Sequence, residues 1–78
     1  MNDTLILTGH RYSYWISPRK VKIERREQLP DGTWTASKTV AVFRHADAEA
    51  VHKMTRQFDS AIALDILGDR ILANSQVR

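Results

Sequence analysis

The residues of this chain that could do chemistry are few: three histidines, His10, His45 and His52, several serines, and no cysteine. Nucleophilic catalysis needs a base beside the nucleophile, and acid–base catalysis needs titratable groups gathered in a cleft. No serine here sits in a nucleophile elbow, and no glycine-rich loop precedes one. Glu49 and His52 stand at the three-residue spacing of carboxylate-bridged metal sites, but those sites need the pair twice and it occurs once. His45 and Asp47 are the only other ligands nearby. His52 reads more simply as a solvated helix residue facing Arg56. The pattern assigns no catalytic residue, no metal site and no cofactor.

Charge and aromatic rings remain. Residues 11–44 carry eight Lys/Arg against three Asp/Glu, whereas residues 45–78 carry four against five. In the basic half, strand alternation puts Lys20, Lys22, Glu24 and Arg26 on one face and Val21, Ile23 and Arg25 on the other. Arg19 and Lys38 extend the cationic face, which could follow phosphates or lie in a major groove. A solvated face kept charged against edge pairing gives the same pattern, and Glu24 and Glu27 dilute it. Tyr12, Tyr14, Trp15 and Trp34 fall on or beside the same strands. Alternation forces Tyr12 and Tyr14 onto one face and Trp15 onto the other. One set must be core, and a displayed set beside arginine has the make-up of an interface hot spot or a base-stacking platform.

The elements that must position these residues follow from the hydrophobic period. Period-two runs at residues 11–17, 20–26 and 34–43 read as strands. Leu29-Pro30-Asp31-Gly32-Thr33 supplies a turn, with Pro set for its second position and Gly free to take positive φ, so residues 20–28 pair antiparallel with 33–43. Thr4 to Thr8 forms either an extra edge strand or the start of the first long one. From Ala46 the period becomes helical, with Val51, Met54, Phe58, Ala61 and Ile62 on one stripe, Asp47 and Glu49 in the first turn and Gly68 as a left-handed stop. The expected fold is α+β: an antiparallel sheet of three or more strands with one main helix over 46–67 packed on one face. Val21, Ile23, Val40, Val42, Val51, Met54, Phe58 and Ile62 are the expected core, with Phe43 pointing away from Val40 and Val42 unless a bulge intervenes.

The stripe is not the whole of the helix. Leu64, Ile66, Leu67, Ile71 and Leu72 make its second half apolar on more than one side. Either the helix bends near Asp59-Ser60 or the extra side buries against another chain, giving a homodimer through Leu64, Ile66, Leu67 and Ile71. The competing arrangement folds residues 69–74 back as a strand or turn over Leu64 and Leu67.

A chain of 78 residues and 9.0 kDa is one domain over 1–78 with a marginal core, at a formal charge of +3. No apolar run approaches the ~20 residues needed to span a bilayer, so no membrane partner is expected and the protein is expected to be cytoplasmic. The order of strands ending in Phe43 and followed by Glu49-Ala50 in a helix, with Trp34 matching the aromatic of the family's middle strand, resembles the arm-site binding domains of tyrosine integrases over roughly residues 12–60. Ala41 stands where that family commonly has a glycine. The resemblance implies a DNA-binding module in which Lys20, Lys22, Arg26 and Lys38 face DNA. In size and architecture the chain also resembles the small phage-encoded anti-CRISPR inhibitors. That likeness implies a non-catalytic protein blocking a complex that handles nucleic acid, and it carries over no functional residue.

Overall fold

The computed structural model describes residues 4–76, with side chains to Asn74. Four strands, β1 (Leu5–Thr8), β2 (Tyr12–Ser17), β3 (Lys20–Arg25) and β4 (Lys38–Arg44), are followed by helices α1 (His45–Arg56) and α2 (Ala61–Gln76). The strands form one antiparallel sheet in the order β1-β2-β3-β4, so the fold is α+β. Of the segment Thr4 to Thr8, Leu5–Thr8 thus forms a separate edge strand. The Pro30-Gly32 turn forms as expected: Gly32 takes φ of 90°, its N–H donates to Leu29 O, and a bridge between Gln28 and Trp34 carries the hairpin beyond the sheet.

Both helices cover the same sheet face, α1 over β3 and β4 and α2 over β2. Tyr12, Tyr14, Ile16, Val21 and Ile23 point into this layer and meet Ala48 and Val51 of α1 and Leu64, Leu67 and Ile71 of α2. The expected single helix over 46–67 is therefore two. Helix α1 ends at Gln57, where the N–H of Gln57 donates to Met54 O and that of Phe58 to Thr55 O, and Ser60 caps α2 by accepting from Ala63 N at 3.1 Å. Gly68 does not stop a helix. It lies in the middle of α2, where an added Cβ would sit 2.6 Å from carbons of the Tyr12 ring.

Part of the expected core is also displaced. Val40, Val42, Met54 and Ile62 are exposed, while Ala41, Phe43 and Phe58 pack at the core's margin. The register of β4 on β3 explains the valines. Ile23 faces Ala41 and Val21 faces Phe43, whereas Glu24 faces Thr39, so Val40 is the extra residue of a bulge. Phe43 does point away from Val42, but the inward member is Phe43. Small Ala41 also fits where α1 lies against β4.

Strand β4 runs directly into α1 without a loop. The reversal is made at His45, which takes φ of 56° in the left-handed region and donates its N–H to Arg19 O at 3.0 Å. A non-glycine residue there costs roughly 1–2 kcal/mol, so the β2–β3 turn and the end of β4 are held together against local strain.

Candidate partner-binding face

Because both helices lie on one side, the opposite face of the sheet is open. Cross-strand registers build that face row by row: Ile6, Trp15, Lys22 and Val42 form the central row. Ser17, Lys20 and Arg44 form the row toward the β2–β3 turn, and Thr8, Ser13, Glu24 and Thr39 the row on the other side. The central row is largely apolar, with Ile6 47% and Val42 43% exposed.

Trp15 anchors this row. Its indole N–H donates to Glu24 Oε1 at 2.7 Å, and the Lys22 ammonium lies 4.9 Å from the ring centre and 3.8 Å from Glu24 Oε2. The ring is thereby fixed in one orientation before any partner arrives, which lowers the entropy lost on contact. A shallow cleft of about 180 Å³ beside it is lined by Thr4, Trp15, Ser17, Lys20 and Lys22.

The row toward the turn is electrostatically unbalanced. Lys20 and Arg44 are direct cross-strand partners of like charge, an arrangement that costs stability in isolation. Among the described residues neither makes an ion pair, and neither does neighbouring Arg19. An anionic surface placed on this corner would relieve the repulsion.

The structure separates residues that the sequence groups together. Lys20 and Lys22 share the open face with Arg19 at its border, but Lys38 lies at the far end of β4 opposite Arg25. Arg26 is committed elsewhere: its guanidinium stacks 4.2 Å from the Trp34 ring centre and its Nε–H donates to His10 O at 2.9 Å. Trp34 is half-buried in the hairpin beyond the sheet. Tyr12 and Tyr14 are not displayed to a partner, being 1% and 0% exposed. Their hydroxyls donate to Asp69 Oδ1 at 2.8 Å and to Leu64 O at 2.7 Å, and burial pushes both phenols up from their ordinary ionisation range.

The self-association surface expected on the second helix is likewise consumed. Leu64, Leu67 and Ile71 are buried against the sheet, Leu72 packs beside them, and Ile66 alone of the group is exposed. Residues 69–74 continue α2 and do not fold back. Asp65 and Asp69 of that helix hold the β1–β2 turn. Asp65 accepts from Arg11 N at 2.9 Å and Tyr12 N at 3.3 Å, and Asp69 accepts from the Arg11 guanidinium at 2.7 Å. The Arg11 hydrogen bond keeps the Asp69 carboxyl below its usual range.

Ile6, Val42 and Arg44 are the members of the face that sequence reasoning missed, Arg44 because its facing depends on the bulge. Parity sets Trp15 apart from Tyr12 and Tyr14 and leaves open which set is core; the structure places the tyrosines in the core and Trp15 on the open face. Among the described residues no group of three or more His, Cys, Asp or Glu is placed to hold a metal, and no helix is long and apolar enough to cross a membrane. Comparison of the chain with protein-family models, with curated proteins and with solved structures finds no match.

Proposed function

We propose that this protein is a non-catalytic binding module of the cytoplasm that docks its open sheet face on an acidic surface of a protein assembly handling nucleic acid, acting by occupancy as anti-CRISPR-type inhibitors do. One observation carries the reading: an apolar row, Ile6–Trp15–Val42, on the open face is bordered by Arg19, Lys20 and Arg44, cations that make no ion pair among the described residues. Apolar centre, fixed aromatic anchor and charged rim are the anatomy of a protein–protein hot spot. A phosphate-tracking surface has no use for the exposed aliphatics.

Direct binding of duplex DNA is the second reading, favoured by the apposition of Lys20 and Arg44. Salt dependence on a random-sequence duplex separates the two. If DNA is the partner, affinity falls steeply between low and physiological salt, and Lys20→Glu with Arg44→Glu abolishes it. If a protein is the partner, duplex affinity is slight at every salt concentration. The tagged chain then retains one stoichiometric partner that Trp15→Ala and Lys20→Glu each release. Retention of that partner by both variants would remove the open face from the account.

A further inference from the structure

The two edges of the sheet are built differently. β4 carries Lys38 and Arg44 at its ends and a bulge at Val40, the devices that keep an edge strand from pairing with another chain. β1 carries none of them. Its four residues Leu5-Ile6-Leu7-Thr8 are uncharged, contain no proline or glycine, and pair with β2 in unbroken register. Leu5 and Ile6 are 51% and 47% exposed. Beside this edge, on the helical side, lies a groove of about 250 Å³ whose apolar lining includes Leu5, Leu7, Phe58 and Leu64.

The occupant can be read from the strand itself. Thr4-Leu5-Ile6-Leu7-Thr8 is a palindrome. If a second copy adds antiparallel to this edge about a two-fold axis through Ile6, then Ile6 meets Ile6, Leu5 meets Leu7, and Thr4 meets Thr8. Every side chain keeps its face, which a slip of one residue would reverse. The leucines of the added strand project into the layer where the groove opens, and both copies meet without net charge on the strand. We propose that β1 pairs with β1 of a second copy, joining two sheets into one continuous antiparallel sheet. The two open faces become a single platform along the row Trp15–Ile6–Ile6–Trp15, with the cationic corners at its two ends. Such a contact is isologous and self-limiting, because the guarded β4 edges stay outermost. A short ladder with three aliphatics from each copy implies a dissociation constant on the order of micromolar once association entropy is subtracted.

Sedimentation of the intact chain at tens of micromolar, on the order of ten times that constant, tests this. The expected result is a dimer of the 9.0 kDa chain that Ile6→Lys dissociates and Ile62→Lys, on exposed α2 surface, leaves intact. The lysine variant should weaken pairing at least about tenfold, since the axis sets the two introduced charges against each other. A monomer at all of these concentrations overturns the proposal, and so does a dimer that Ile62→Lys dissolves and Ile6→Lys does not. Should Ile6→Lys fail to fold by circular dichroism, Ile6→Cys decides, because the chain has no other cysteine. Mild oxidation must then give a covalent dimer that Thr33→Cys at the hairpin tip does not; absence of that cross-link overturns the proposal equally.

Discussion

The inner and outer faces of β2 hold their aromatic residues by different means. Tyr12 and Tyr14 are sealed under α2, and their hydroxyls end on acceptors that the helix supplies, Asp69 Oδ1 and Leu64 O. Trp15, one residue away on the opposite parity, finds its acceptor on its own sheet, in Glu24. Burying a polar aromatic without a partner costs several kcal/mol, so a face can become core only where the covering element brings acceptors. The tyrosine face is core because α2 does so. The tryptophan face needs nothing above it, and it is already rigid in the absence of a partner.

The largest expected effect therefore lies on the inner side. Tyr14→Ala removes a fully buried ring and its hydrogen bond to Leu64 O, and should cost about 3–5 kcal/mol, comparable to the whole stability of so small a domain. Urea unfolding monitored by circular dichroism should show a largely unfolded variant. A Tyr14→Ala protein with an unshifted midpoint would break the contrast between the faces.

Gly68→Ala comes next. In an exposed helix interior this change gains up to about 1 kcal/mol, yet here the new methyl meets the Tyr12 ring at 2.6 Å and nothing flexible can yield. Overpacking should win, with a net loss of about 1–3 kcal/mol by chemical denaturation. The same change combined with Tyr12→Leu should recover part of the loss, since the two positions share one contact.

How much of this was legible in the sequence depends on which signals are local. The Pro30-Asp31-Gly32 turn, the first two strand periods and the shared face of Lys20 and Lys22 follow from local chemistry, and the structure keeps them, whereas the run at 34–43 becomes a strand only over Lys38–Arg44 and carries a bulge. The break at 57–60 is legible only as an alternative, the bend near Asp59-Ser60, because Val51, Met54, Phe58, Ala61 and Ile62 keep helical spacing straight across it and only Ser60 marks the new cap. Gly68 reads as a stop because glycine is a poor helix former. Its actual role, close approach of a ring from another element, is a tertiary fact. Parity separates Trp15 from the tyrosines but does not say which side faces in. Arg44 depends on the bulge: if the pairing of Glu24 with Thr39 ran on unshifted, Lys20 would meet Phe43 and Arg44 would turn inward.

A third prediction uses pH. Burial raises Tyr14 furthest, and burial together with the hydrogen bond to Asp69 raises Tyr12. A folded-state value above the unfolded one stabilises the fold fully below the unfolded value and less as pH rises past it. Between the ordinary value near 10 and the higher folded one, each tyrosine should therefore remove about 1.4 kcal/mol per pH unit. Tyrosinate absorbance should stay low past the ordinary range and then rise together with loss of circular dichroism. Ionisation of either tyrosine at its ordinary value in a still folded chain would contradict the sealed inner face.

The smallest stability effect is expected on the outer face, where it is most informative. Trp15→Ala removes one indole N–H bond to Glu24 and one cation–π contact with Lys22, both at a half-exposed site. Glu24 and Lys22 keep each other as partners, at 3.8 Å, so no charge is stranded by the loss. The cost should be about 1 kcal/mol or less, against the 3–5 kcal/mol of its neighbour Tyr14. If the open face is the binding surface, the order reverses for partner retention: Trp15→Ala should lose at least about tenfold in affinity, as central aromatic anchors do. Trp15→Phe sharpens the point. It keeps a ring for Lys22 and drops the bond to Glu24, so an intermediate loss would show that fixing the ring's orientation, as well as its area, contributes to binding. A Trp15→Ala variant as destabilised as Tyr14→Ala would instead make the outer tryptophan a structural residue, and the two faces of β2 would no longer differ in role.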